Sequence, residues 1–136
     1  MKPRIVLDTN GYVSRLLVAE SVPCKAVEFA GLRGITLMSP ATLTELEQVL
    51  KRPKFAKYLN PENIEPYLAK VWELAQHADA GPPIRACRVP RDDKFLDVAV
   101  HGEAGFLVTG NADLLALHPF RSISILTPSD FLAHHN

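Results

Sequence analysis

Arg4-Ile5-Val6-Leu7-Asp8-Thr9-Asn10 is the stretch on which the fold turns. Three apolar residues follow one another and stop on a carboxylate, with small polar groups behind it. A strand buried on both faces reads as such an unbroken run, and the residues after it are of the kind that start helices. The punctuation returns. Ile35–Met38 runs into Ser39-Pro40, Phe106–Val108 into Thr109-Gly110-Asn111, and Ile123–Leu126 into Thr127-Pro128-Ser129. Strand, cap, helix, repeated, predicts an α/β fold with a parallel sheet and covering helices.

Helices are expected over residues 11–19, 23–32 and 40–50, the last with Ser39 as cap and Pro40 as first residue. A fourth, over residues 65–78, carries Ile64, Tyr67, Leu68, Val71, Trp72 and Ala75 on one stripe. Pro66 argues that it starts late or is kinked. A fifth begins near Asp92 and ends before Gly102, a short one follows Asn111, and a last covers residues 129–134. A fifth strand is expected between His77 and Val89, and the span from Leu50 to Val89 reads as a helical insertion.

At 136 residues the chain is one domain, residues 1–136. Lys+Arg and Asp+Glu both number 15, which excludes a strongly basic nucleic-acid binder. It leaves room for a nuclease with a local basic strip, and zero net charge favours a dimer. Cys24 and Cys87 form no C-x-x-C pair and read as inert thiols. With no signal segment and no apolar run near the ~18 residues that span a bilayer, the expectation is a cytoplasmic protein without a membrane partner. His134-His135 reads as a frayed end, not a metal pair.

The acids carry the chemistry. Asp8, Glu45, Asp92, Asp93, Asp97 and Asp113 mostly fall just beyond an apolar run or at a helix start. In an open α/β sheet those places share the rim at the carboxyl ends of the strands, where ligands bind. Clustered carboxylates repel one another unless a cation holds them, and Mg²⁺ or Mn²⁺ prefers oxygen ligands. Each acid also has an ordinary reading. Asp8 would cap the helix behind it, although Asn10 could cap instead and free it. Glu45 and Glu47 lie at opposite edges of the apolar arc of their helix, so periodicity does not choose between them. Asp92 and Asp93 suit a helix start. Asp97 lies one turn beyond Asp93 on the same face, and Asn111 offers a neutral oxygen beside Asp113.

Leu7-Asp8-Thr9-Asn10, Ser39-Pro40…Glu45-Leu46, Asp92-Asp93-Lys94-Phe95-Leu96 and Leu107-Val108-Thr109-Gly110-Asn111-Ala112-Asp113-Leu114-Leu115 follow in the order seen in PIN domains. Nearly the whole chain resembles that family, most of all the VapC-like ribonucleases of toxin–antitoxin systems. The resemblance implies a three-layer α/β/α sandwich with about five parallel strands. It also implies a Mg²⁺- or Mn²⁺-dependent endoribonuclease leaving 5′-phosphate and 3′-hydroxyl ends, an antitoxin partner and a homodimer. Carried over, the acids are Asp8, Glu45 and Asp93, with Asp113 in the fourth role because Asn111 stands where the family often has Asp. Asp97 falls at the rim as a further metal residue. Thr9, Asn10, Ser39, Thr109 and Asn111 would hold the carboxylates by hydrogen bonds. Arg15 and Arg91, with the run Lys51, Arg52, Lys54 and Lys57, are the candidate RNA contacts.

Two rival enzymes fit poorly. A haloacid-dehalogenase-like phosphatase wants an acid where Asn10 stands, and no G-x-G-x-x-G follows the first strand as a dinucleotide fold would need. The remaining alternative is a catalytically weak PIN-like module that binds RNA or a protein, a reading that Asn111 keeps open.

Overall fold

The first apolar run becomes the central strand. In a computed structural model, which describes residues 2–78 and 81–135, β1 (Arg4–Leu7) lies between β2 (Ile35–Met38) and β4 (Phe106–Val108). The edges are β3 (Gln76–His77) and β5 (Ser124–Leu126), giving five parallel strands in the order β3-β2-β1-β4-β5. The period-two alternation of β1 splits the core between the two faces. Ile5 and Leu7 pack with Leu46, Leu50 and Phe131 on one side, and Val6 with Phe95, Leu96 and Leu107 on the other. The three-layer sandwich is therefore built as the sequence predicts.

Helices α1 (Thr9–Leu17), α2 (Val22–Arg33), α3 (Pro40–Leu50), α4 (Pro61–Leu74), α5 (Asp93–His101), α6 (Ala112–Leu115) and α7 (Pro128–His134) follow the strands. Their starts are written in local chemistry. The Ser39 hydroxyl accepts from Thr42 N, and the Thr42 hydroxyl accepts from Ser39 N, a reciprocal box ahead of Pro40. Thr127 caps α7 one way, its hydroxyl accepting from Asp130 N ahead of Pro128.

Three expectations fail in instructive ways. Helix α4 starts at Pro61 and contains Pro66, where a start near residue 65 was expected. The partner that Pro66 leaves without a donor is the carbonyl of Glu62, in the exposed first turn where water serves. The helix also ends at Leu74, and Gln76-His77 leaves it to form the edge strand. That strand lies at the border of the expected stretch, of which Asp79 and Ala80 fall outside the described residues. Its side chains are exposed and polar, so no apolar run announces it. Lastly, His134-His135 is no frayed end. His135 packs its ring against Phe29, Phe106 and Phe131 and donates from Nδ1 to Phe131 O, 2.9 Å away.

Candidate functional site

The chain runs outward from β1 to β2 and β3, then crosses back to β4. The strand order thus reverses between β1 and β4, and ligands bind at the carboxyl side of such a switch. Asp8 stands there and is only 8 % exposed. Its Oδ1 accepts from Gly11 N at 3.0 Å, and its Oδ2 accepts from the Thr109 hydroxyl at 2.8 Å and from Gly110 N at 3.4 Å. Asp8, not Asn10, caps α1; Asn10 is the second residue of that helix. Burial pushes the Asp8 carboxyl above the usual carboxylate range, against the three donors, and the negative charge of Glu45 adds to the rise.

Asp8 opens onto a cavity of about 460 Å³ that also meets Thr9, Asn10, Glu45, Asp92 and Asn111. The choice that periodicity left open is made in favour of Glu45, since Glu47 pairs with Lys51 on the outside. The Thr9 hydroxyl donates to Glu45 Oε2, and Lys94 Nζ donates to Oε1 at 2.7 Å. Burial raises the Glu45 pKa, but the Lys94 and Thr9 hydrogen bonds and the charges of Lys94 and Arg91 outweigh it, and the net result is a lowered value. Asn111 Nδ2 donates to Asp92 Oδ2 at 3.0 Å, while Asn111 Oδ1 caps α6. Arg52, Arg91 and Lys94 complete the wall as cations.

The remaining expected residues fall elsewhere. Asp93 does not line this cavity; its Oδ1 accepts from Ala86 N and Cys87 N, so Asp92 stands where Asp93 was expected. Asp97 accepts from Ile84 N, and Asp113 pairs with Arg88 at 2.9 Å. Neither reaches the cavity, because backbone and guanidinium donors outside it engage them first. Ser39 spends its hydroxyl on the α3 cap. Arg15 lines a different hollow with Tyr12 and Tyr67. Lys51 is held by Glu47 and Glu65, Lys54 lies over the Phe55 ring and Lys57 over the Tyr58 ring, so of the basic run Arg52 is the residue that lines the cavity. Missed in the sequence were Asp92 as the inward acid, Lys94 as the cation on Glu45, and Gln48. Lys94 was legible: it lies next to an acid pair at a helix start.

A family model described as PIN domain matches residues 4–113, the span from β1 through the site loop after β4. The chain belongs to the PIN domain family. PIN domains are in general nucleases, and they usually use divalent metals. This PIN domain is also similar to Uncharacterized protein MJ1680 of Methanocaldococcus jannaschii, with 28% identity over 142 residues covering 97% of this chain and 91% of that protein. The crystal structure of VapBC2 from Rickettsia felis bound to a DNA fragment from their promoter matches at TM-score 0.61 and 15% identity. The match covers 90% of this chain and 96% of that chain, and it shows a shared fold.

The donors of the cavity fit a hard divalent ion. Asp8, Glu45 and Asp92 offer carboxylate oxygen, and among the described residues no histidine or cysteine lines the walls. Among the described residues no three acidic, histidine or cysteine side chains converge closely enough to enclose an ion. Among the described residues, no helix is long and apolar enough to cross a membrane.

Proposed function

We propose that this PIN domain is a metal-dependent endoribonuclease, the toxin of a toxin–antitoxin pair. The observation that carries the reading is Asp8: desolvated, fastened by Thr109, and facing Glu45 and Asp92 across one cavity walled by Arg52, Arg91 and Lys94. Asp8 and Asp92 would hold Mg²⁺ or Mn²⁺, with Glu45 and the Asn111 amide beside them. A bound ion supplies a nucleophilic hydroxide at neutral pH and offsets the charge of the phosphodiester. Thr109 keeps Asp8 aimed into the cavity, and Thr9 does the same for Glu45. Arg52, Arg91 and Lys94 attract and orient the phosphate chain, while Lys94 also restrains Glu45.

The test is cleavage of labelled RNA with Mg²⁺ or Mn²⁺. Wild type cuts, chelation stops it, and Asp8→Ala lowers the rate by about a hundredfold or more. Metal-dependent cutting that survives Asp8→Ala would remove Asp8 from the mechanism. One observation favours the second reading, a module that binds RNA or a protein without cutting. Asn111 spends its amide on Asp92 and its oxygen on a helix cap, and among the described residues the carboxylates at the cavity are those of Asp8, Glu45 and Asp92, with no fourth. Failure to cut any RNA would select that reading. An antitoxin is supported by the VapBC2 fold likeness, and a small neighbouring reading frame for a DNA-binding protein is the observation to seek. Homodimerisation, proposed from the zero net charge and the family likeness, is checked by elution at micromolar concentration.

A further inference from the structure

The acidic cavity shares a wall with a second one. A hollow of about 660 Å³ lies beyond Arg91 and Lys94, which line both. Its third cation is Arg85, and Pro83, Ile84 and Pro90 give it apolar surface. Its two acids are already committed. Asp97 Oδ1 accepts from Ile84 N at 2.5 Å, and Asp93 Oδ1 accepts from Ala86 N at 3.1 Å and Cys87 N at 2.7 Å. Asp113 holds the next residues of the same loop by receiving Arg88 Nε at 2.9 Å. Three carboxylates that the sequence offered as metal ligands thus fasten one loop, residues 84–88, to the rim of the site.

That arrangement has a chemical consequence. Asp93 and Asp97 stay anionic but turn the bonded oxygens toward backbone N–H groups, Lys94 is shared with Glu45, and among the described residues Arg85 and Arg91 are the cations of the hollow that pair with no carboxylate. Prolines and an isoleucine beside those cations suit the face of a base next to a phosphate. Ligand cavities commonly measure ~300–1,000 Å³, and this one falls within that range. A wall fixed at three points is ordered before a ligand arrives, which reduces the entropic cost of binding.

We propose that the second cavity is a subsite for the nucleotide next to the scissile phosphate, with Asp93 and Asp97 as positioning residues that hold its wall. The proposal rests on the nuclease reading for the word scissile, but its test does not depend on cleavage. The probe is adenosine 5′-monophosphate, titrated in EDTA against the isotopically labelled full chain by NMR. The amide signals of Ile84, Ala86 and Cys87 are expected to shift. Arg85→Ala is expected to weaken binding about tenfold, the worth of one charge-assisted contact. Asp97→Ala is expected to weaken it comparably, and Asp97→Asn to restore it, because the Asn carbonyl accepts the same backbone N–H. In a parallel Mn²⁺ titration, Asp93→Asn is expected to keep wild-type metal affinity.

Shifts absent from residues 84–87, or an Arg85→Ala protein that binds as wild type does, would overturn the subsite. Loss of Mn²⁺ binding in Asp93→Asn would overturn the positioning role and return Asp93 to the metal. Should Asp97→Ala fail to fold, Arg85→Ala and Asp97→Asn still decide the matter. Nucleotide binding at the loop with no RNA cleavage upholds the site and removes the nuclease reading. Cleavage without nucleotide binding removes the subsite alone.

Discussion

Asp8 shows how a site residue can weaken the fold it belongs to. Its raised pKa means that burial costs the charged form more than its three donors return. A group that holds its proton more tightly when folded favours the native state most at pH below its unfolded value, and that advantage is lost as pH rises through the folded value. At pH 7 the ionised carboxyl is therefore a liability in metal-free protein. Asp8→Asn removes the charge yet still caps Gly11 N, since Asn caps as well as Asp. The expected outcome in EDTA is a higher Tm than wild type at pH 7, with roughly 3–5 °C for each kcal/mol gained. The difference should vanish below the usual carboxylate range, where Asp8 is protonated. Thermal melts across pH check it, and a lower Tm for Asp8→Asn at pH 7 would show the donors outweighing burial. Asp8 was legible because it ends an apolar run. Asp92 was not, because the residues before α5 form a 3₁₀ turn, Pro90–Asp92. Three residues per turn in place of 3.6 changes which side chain faces inward, and helical spacing counted from the sequence does not carry that phase.

Among the elements, the joint between β1 and β4 matters most. Thr109 is fully buried at the end of β4; its hydroxyl donates to Asp8 Oδ2 and accepts from Asn111 N at 3.0 Å. One side chain thus links the end of the central strand to the loop that carries Asn111. Thr109→Val keeps the shape but leaves Asp8 Oδ2 with the long Gly110 N contact alone and Asn111 N without its partner. A loss of about 1–3 kcal/mol is expected, with a fall in any cleavage rate, and Thr109→Ser should restore both. Urea melts read the first, and an unaltered midpoint for Thr109→Val would refute the joint. Elements of this kind were visible in the chain because apolar runs and caps are local. Edge strand β3 was hidden for the opposite reason. Gln76-His77 is a strand through its pairing with Leu37 and Met38, and the His77 ring is stacked on Trp72 at 3.6 Å, both contacts made only by folding. The loop over residues 84–88 was hidden likewise, since nothing in its composition says that Asp93 and Asp97 will hold it.

For the whole molecule the decisive quantity is where a zero net charge is spent. Fifteen acids balance fifteen bases, yet Arg52, Arg91 and Lys94 gather around the acidic cavity and Arg85 stands beyond them. Lys51 and Arg88 are neutralised by neighbours, so they add little to a substrate field. A single-stranded RNA that displaces counterions at three or four such cations should show log K against log salt with a slope of about −2 to −3. Between 50 and 200 mM salt the affinity would then fall about 20- to 60-fold. A uniformly basic surface would give a far steeper line, and a protein that met RNA only through apolar contacts would give a flat one. Fluorescence anisotropy with a labelled oligoribonucleotide in EDTA, where no cutting occurs, measures the slope directly. Replacing Arg91 by Ala should make it shallower by about 0.7, one phosphate contact's worth. A slope near zero in wild type would mean that the cations beside Asp8 do not touch the phosphate chain, and the acidic cavity would then need a different substrate.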